Sequence, residues 1–388
     1  MNPHVVKPLA LAMFASATFV TVPSASAEVN INLRTFYMNR DFTEGSSDHR
    51  EALTQAVRLD YSGKITESMG IGASLFSNAR IHDDGDSNLT GLLTSDTSEG
   101  YAKLGQVYAD FNFGDRMSLR LGRWVMGTAL LNDSDSRATP SSTQAIKLKA
   151  AFDSGQVYFV YSDRASSKTE SQFKQYLDGN GNDYGIALIG GDVTLDNGVS
   201  LAAAYGDADG FKEQLYLNAG MQLSDTVAMA IHHYRGDGEG TNAAFDSNLT
   251  NLMASYQLDN LKLSTGYQTV SGDSGYNYTW GGQDDNGLQT SNSVQILDFN
   301  NQDEDSWQLR ADYQVESIAG LTMMARHTWG EYTNGSQEVD ESETNFEMAY
   351  TLTSGSLEGL NLRMRASHVE ADAFDDINEI RLIANYSF

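Results

Sequence analysis

Six arginines offer the most suggestive chemistry in this chain: Arg34, Arg40, Arg58, Arg363, Arg365 and Arg381. A guanidinium is a planar fork that grips a carboxylate through two parallel hydrogen bonds, and it keeps its charge at any physiological pH. A row of such groups suits capture and release of small anions. The segment 125–143 brings the opposite sign, with Asp133 and Asp135 beside Ser136 and Arg137. Opposed charges across a slot would orient a molecule carrying both signs, such as an amino acid or a small peptide. Lys147 and Lys149 come next in the chain and extend the basic set. Two plainer readings stand beside these. Arginines lining a pore can set only a transverse field, and loop acids can be ordinary solvated side chains.

Other chemistries find no support. There is no cysteine, no HExxH and no GxSxG. His232 and His233 are adjacent in a strand pattern, which sends one ring to each face and leaves the pair ill placed to share one metal ion. The run Asp83-Asp84-Gly85-Asp86-Ser87 lacks the spacing of a calcium loop. No catalytic residue, metal or cofactor is therefore expected. An enzyme or adhesin built on this scaffold would need a nucleophile with a partnered histidine, and none can be assembled. The formal charge of −27 argues against nucleic acid as a partner.

Paired strands must position these groups. The last stretch alternates without a break: Ile380, Leu382, Ala384, Tyr386 and Phe388 on one face, Glu379, Arg381, Ile383, Asn385 and Ser387 on the other. Alternation at period two marks a strand with one apolar and one polar face. The same reading holds for 106–113, 214–223 and 360–367. Eighteen such strands are expected, starting near Val29, Ala52, Ile71, Tyr101, Met117, Gln144, Gln156, Tyr184, Val199, Phe211, Thr226, Asn248, Leu261, Ser306, Leu321, Glu343, Leu360 and Ile377. Short turns alternate with long connections rich in Gly, Asp, Asn and Ser. That rhythm predicts an all-β, transmembrane antiparallel barrel. A charge on the lipid face costs about 2–4 kcal/mol at mid-bilayer, so the apolar parity points outward and the polar parity lines the lumen.

Composition agrees. Residues 1–27 read as a secretion signal, with Lys7, an apolar run from Pro8 to Val22 and Ala25-Ser26-Ala27 as the cleavage site. Losing Lys7 with it takes the charge from −27 to −28 for a single barrel domain over 28–388. A mean hydropathy of −0.40 fits a barrel whose alternate residues are wet. Pro140 is the one proline after Pro23, as a chain of ladder-forming strands requires. The acids gather in Asp83 to Glu99, Asp237 to Asp246, Asp284 to Asp305 and Glu338 to Glu343, which read as solvated loops. In a closed barrel the last strand pairs with the first. Strands 17, 18, 1 and 2 then bring the six arginines onto one wall.

Several stretches resemble the OprD family of substrate-specific outer-membrane porins. Leu33-Arg-Thr-Phe-Tyr-Met-Asn-Arg-Asp-Phe42 is similar to its first strand. Leu119-Arg-Leu-Gly-Arg123, then Asn132-Asp-Ser-Asp-Ser-Arg137 and Pro140, resemble its fifth strand and inward third loop. Asp303-Glu-Asp-Ser-Trp307 with Ala319-Gly-Leu321, and Ser354 to Leu360 with Arg363 and Asn378 to Ile383, resemble later hairpins. Ala138-Thr139 stands where family members usually carry an apolar pair. The resemblance implies an eighteen-stranded channel in the bacterial outer membrane, surrounded by lipid and lipopolysaccharide, monomeric or weakly trimeric. It also implies a basic ladder that guides small carboxylate-bearing solutes. The competing expectation is a channel for neutral oligosaccharides such as chitooligosaccharides, with Tyr108, Tyr158 and Tyr216 as stacking surfaces.

Overall fold

A computed structural model describes residues 27–43, 49–281 and 284–388. The signal segment expected over 1–27 lies outside these except for Ala27, which opens the first strand. Among these residues twenty strands occur in chain order. They are β1 (Ala27–Phe42), β2 (His49–Lys64), β3 (Met69–Gly85), β4 (Tyr101–Phe113), β5 (Met117–Trp124), β6 (Ser142–Phe152), β7 (Gly155–Ser166), β8 (Lys174–Leu177), β9 (Asp183–Tyr184) and β10 (Ile186–Thr194). They continue as β11 (Ser200–Ala208), β12 (Lys212–Gln222), β13 (Val227–Gly238), β14 (Asp246–Leu258), β15 (Leu261–Gly272), β16 (Asp305–Gln314), β17 (Leu321–Asn334), β18 (Gln337–Thr351), β19 (Asn361–Ala371) and β20 (Ile377–Ser387). β8 and β9 are short pieces within one loop; the other eighteen form a closed antiparallel wall.

Each wall strand pairs with its chain neighbours, β7 pairs directly with β10, and β20 returns to β1. The seam is fully laddered. Met38 faces Arg381 across it, Arg34 faces Asn385, and Ile31 and Phe388 exchange both backbone hydrogen bonds at 2.9 and 3.0 Å. Among the described residues closure leaves no wall strand with an unpaired edge, which the bilayer interior would penalise. The alternation read from sequence holds strand by strand. Leu309, Ile189 and Leu217 point outward and are exposed, while Gln308, Leu188 and Tyr216 on the opposite parity are buried inside. Aromatics crowd the outer surface near the short-turn end, among them Tyr256, Tyr313, Tyr386 and Phe388. Trp307 packs at a tilt against Tyr267, and His327 stacks on Trp329, further along the wall.

Two expectations need correction. Glu338 to Glu343 is not a loop; it lies inside β18. The preceding connection is only the two residues 335–336, with Gly335 at φ +67° making the tight reversal. The strand therefore starts six residues before Glu343, because alternate acids can stand on a wall that rises beyond the bilayer. The connection 209–211 is also short, so long and short connections do not alternate throughout.

The long loops fold inward and make the core. Loop 2 (86–100) tucks Leu92 and Leu93 against Phe36, Met38 and Ala52 on the inner wall, with Ala138 of loop 3. Loop 3 (125–141) and loop 7 (273–304) pack together over the β6–β15 side and reach across to the seam. Trp280 of loop 7 has no exposed surface, donates its indole N–H to the Leu130 carbonyl at 2.6 Å, and lies over Gly206. A Cβ at that glycine would come within 2.9 Å of the indole ring, so the glycine makes room for the tryptophan.

Candidate functional site

The constriction is built where loop 3 meets the seam. Arg34, inward on β1, donates both terminal nitrogens to the Asp135 carboxylate at 2.7 and 3.1 Å. It also reaches the Arg137 carbonyl at 2.7 Å and Asn385 Oδ1 on β20 at 3.2 Å. This clasp pins the tip of loop 3 to the wall. Ser136 sits at that exposed tip, with its hydroxyl 3.0 Å from that of Ser134. Arg137 turns back under loop 2 and donates to the Thr90 carbonyl at 3.1 Å. Burial, with Arg381 nearby, pushes its guanidinium down to about 9, which leaves it charged at neutral pH.

Asp133 departs from expectation. It does not face the arginines. It is half-buried within loop 3, accepting from the Met126 N–H at 2.7 Å and from the Ser141 and Thr143 hydroxyls at 2.9 Å each. A carboxylate closing a tight loop satisfies backbone donors that water cannot reach. Burial pushes its pKa up to about 6.

The six arginines do share one wall, but they are not equally open. Arg381 is 1% exposed. It donates to Glu379 at 2.5 Å and to the Gln295 carbonyl of loop 7 at 3.3 Å. Arg40 bonds the same Glu379 at 2.8 Å, and Gln295 caps that carboxylate at 2.9 Å. Arg365 and Arg363 both pair with Glu347, at 3.1 and 2.6 Å. Arg58 pairs with Asp60 at 2.8 Å. The upper rungs are thus closed off by loop 7, while Arg363 and Arg58 keep 38% and 30% of their side chains exposed. Below the clasp, a cavity of about 250 Å³ is lined by Arg34, Arg58, Asp60, Asp135 and Pro140.

Inward parity alone would have found further cations outside the seam strands. Arg120 on β5 is held by Asp110 at 2.7 and 2.8 Å, and Arg310 on β16 by Asp312 at 2.7 Å twice. Arg326 on β17 bonds Asn345 at 2.6 Å. Loop 7 gives no such signal. Its 295–297 amides converge on buried Glu343 at 2.7–3.2 Å, an anion nest made of backbone. Lys212 on β12 holds its Asn277 and Thr279 carbonyls. Lys168, in the connection after β7, pairs with Asp285 at 3.2 Å.

Of the three tyrosines expected to stack sugars, Tyr216 is 3% exposed, packed on Tyr234 beneath loop 7. Arg120 covers the Tyr108 ring at 4.1 Å, and Lys147 lies 4.9 Å from the Tyr158 ring centre. His232 faces inward, 2.9 Å from the Tyr216 hydroxyl, and His233 outward against Thr250.

Residues 25–388 match the family described as outer membrane porin, OprD family. The chain belongs to that family. It is 27% identical to Porin D of Pseudomonas aeruginosa, over 93% of this chain and 90% of that one. It is 26% identical to the porin-like protein GalP of Pseudomonas putida, over 93% and 91%. The crystal structure of Pseudomonas aeruginosa OccK9 (OpdG) superposes with a TM-score of 0.85 at 24% identity, covering 94% of this chain and 98% of the other. This OprD-family chain is an outer-membrane porin of the bacterial envelope; its relatives are channels rather than enzymes. Its outer face meets lipid and its lumen passes small solutes. Leu309, outward on β16 and 58% exposed to that lipid, gives a direct check. Leu309→Arg should destabilise the barrel by about 2–4 kcal/mol in urea unfolding from lipid vesicles. An unchanged midpoint would place that face elsewhere.

Proposed function

We propose that this porin passes small carboxylates, amino acids among them, along the arginine wall of its seam. The observation that carries the reading is the placement of Arg58 and Arg363. Both remain partly exposed on the wall to which Arg34 and Asp135 clasp loop 3. Each already shares a wall carboxylate, so a solute carboxylate competes for a guanidinium rather than binding an isolated charge. Such sites attract without trapping, as a conducting pore requires. Asp135, 43% exposed at the clasp, gives the slot its negative side and suits solutes with an ammonium group. The oligosaccharide reading loses its best platform, because Tyr216 is covered by loop 7.

Uptake into liposomes tests this. Arg363→Gln with Arg365→Gln should lower initial glutamate flux roughly three- to tenfold, the effect of losing one or two partly exposed charge-assisted contacts. The variants leave Glu347 without its partners, so Glu347→Gln in addition separates lost attraction from added repulsion. Glutamate flux that stays at the wild-type level in the triple variant defeats the ladder.

A further inference from the structure

We propose that Lys147 and Lys149 on β6 form a second anion station, away from the seam, which favours dicarboxylates over monocarboxylates. The proposal rests on the carboxylate reading above and adds a selectivity to it. Its basis is a contrast in pairing. The seam arginines Arg34, Arg40, Arg58, Arg363, Arg365 and Arg381 each contact a carboxylate. Arg120, opposite Lys147 in register, is held by Asp110. Lys147 and Lys149 make no ion pair among the described residues; the charges nearest Lys147 are Lys149 and Arg120.

Three cations therefore share one half-buried patch of wall, and among the described residues Arg120 alone of them has an ion-pair partner, in a chain of charge −27. Their mutual repulsion is relieved by an anion brought from outside. Residues two apart on one face of a strand stand about 7 Å from each other. Two flexible lysine stems at that spacing can each take one end of a short dicarboxylate, whereas a monocarboxylate satisfies only one. Lysine is a compact, hydrated point charge without arginine's fork, so release stays fast. The patch lies under the root of loop 3, where Tyr158, beside Lys147, reaches the backbone of Ala129. On its other side Tyr108 and Asp110 border a cavity of about 340 Å³ at the short-turn end. The station thus lies below the constriction, on the way out.

The test is uptake of succinate and propionate by liposomes holding the purified protein, with arabinose as a neutral solute on the wild type. Wild type should pass succinate over propionate by roughly three- to tenfold, with both ahead of arabinose. Lys147→Gln with Lys149→Gln should bring the succinate-to-propionate ratio towards one, and Lys147→Arg with Lys149→Arg should keep it high. The ratio needs no correction for the amount of folded channel. A ratio unchanged in the glutamine variant overturns the station and leaves the carboxylate reading standing. Wild-type flux of both acids no faster than arabinose overturns the carboxylate reading itself.

Discussion

Trp280→Ala should widen the pore without opening the barrel. The indole is wholly buried between loop 7 and loop 3, and its N–H is the donor to Leu130. Removing a buried tryptophan costs about 3–5 kcal/mol, and here the loss falls on loop docking, since Trp280 belongs to no wall strand. Asp284 would lose the order of the backbone it caps, because it accepts the Trp280 N–H through both oxygens at 2.9 Å. Single-channel conductance should rise and fluctuate, while heat-resistant migration of the folded barrel in electrophoresis stays as in wild type. Trp280→Phe separates the two contributions. It keeps most of the packing but leaves the Leu130 carbonyl only its longer 3.4 Å bond from Asn286, for about 0.5–1.5 kcal/mol. Conductance identical to wild type in Trp280→Ala would mean that loop 7 does not set the width.

The docked loops should also loosen as pH rises. Burial pushes Asp133 up to about 6 and Asp284 up to about 7. Burial and the adjacent Glu341 push Glu304, at the foot of loop 7, up to about 8. All three shifts have one sign. The docked form binds these protons more tightly than the undocked chain, so stability is highest in acid and falls as pH climbs from about 4 through 8. For Asp284 the difference amounts to about 4 kcal/mol across that window. Limited proteolysis of loop 7 in the reconstituted channel should therefore speed up between pH 5 and pH 8.5. Asp284→Asn, neutral throughout, should flatten the part of the profile near pH 7. Cleavage that slows towards alkaline pH would contradict the assignment of these acids as buried and protonated.

The wall was legible in the sequence because its information is local. Leu215, Leu217 and Ala219 alternating with Gln214, Tyr216 and Asn218 states both the strand and its two faces, and the register to the next strand follows from a short turn. The six seam arginines could be placed on one wall for the same reason, once closure was assumed. The filling of the lumen was not legible. Asn286 and Gln289 have the composition of a solvated loop, yet they are partnered by Leu130 and Thr128 of loop 3 and by Tyr234 of β13, while Asp284 beside them accepts from Trp280 of their own loop. Nothing near them in sequence announces those partners. Asp133 misled in the same way. Its charge suggested a face towards the arginines, whereas Ser141 and Thr143, eight and ten residues later, turn it inward. Parity told that Tyr216 faces the lumen, but not that a loop from sixty residues downstream would cover it. Ahead of Glu338 to Glu343, Asn334-Gly335 is a strong hairpin signal that outweighs their acidity.

The Arg34 clasp bears on how the channel is put together. Its guanidinium joins a loop 101 residues away to a strand 351 residues away, and the second of these exists beside it only when β20 has met β1. An open sheet, with its first and last strands apart, offers the tip of loop 3 half a socket. The narrow passage is therefore a product of closure, and an unfinished barrel in the envelope would lack the very sieve that distinguishes a nutrient channel from a hole.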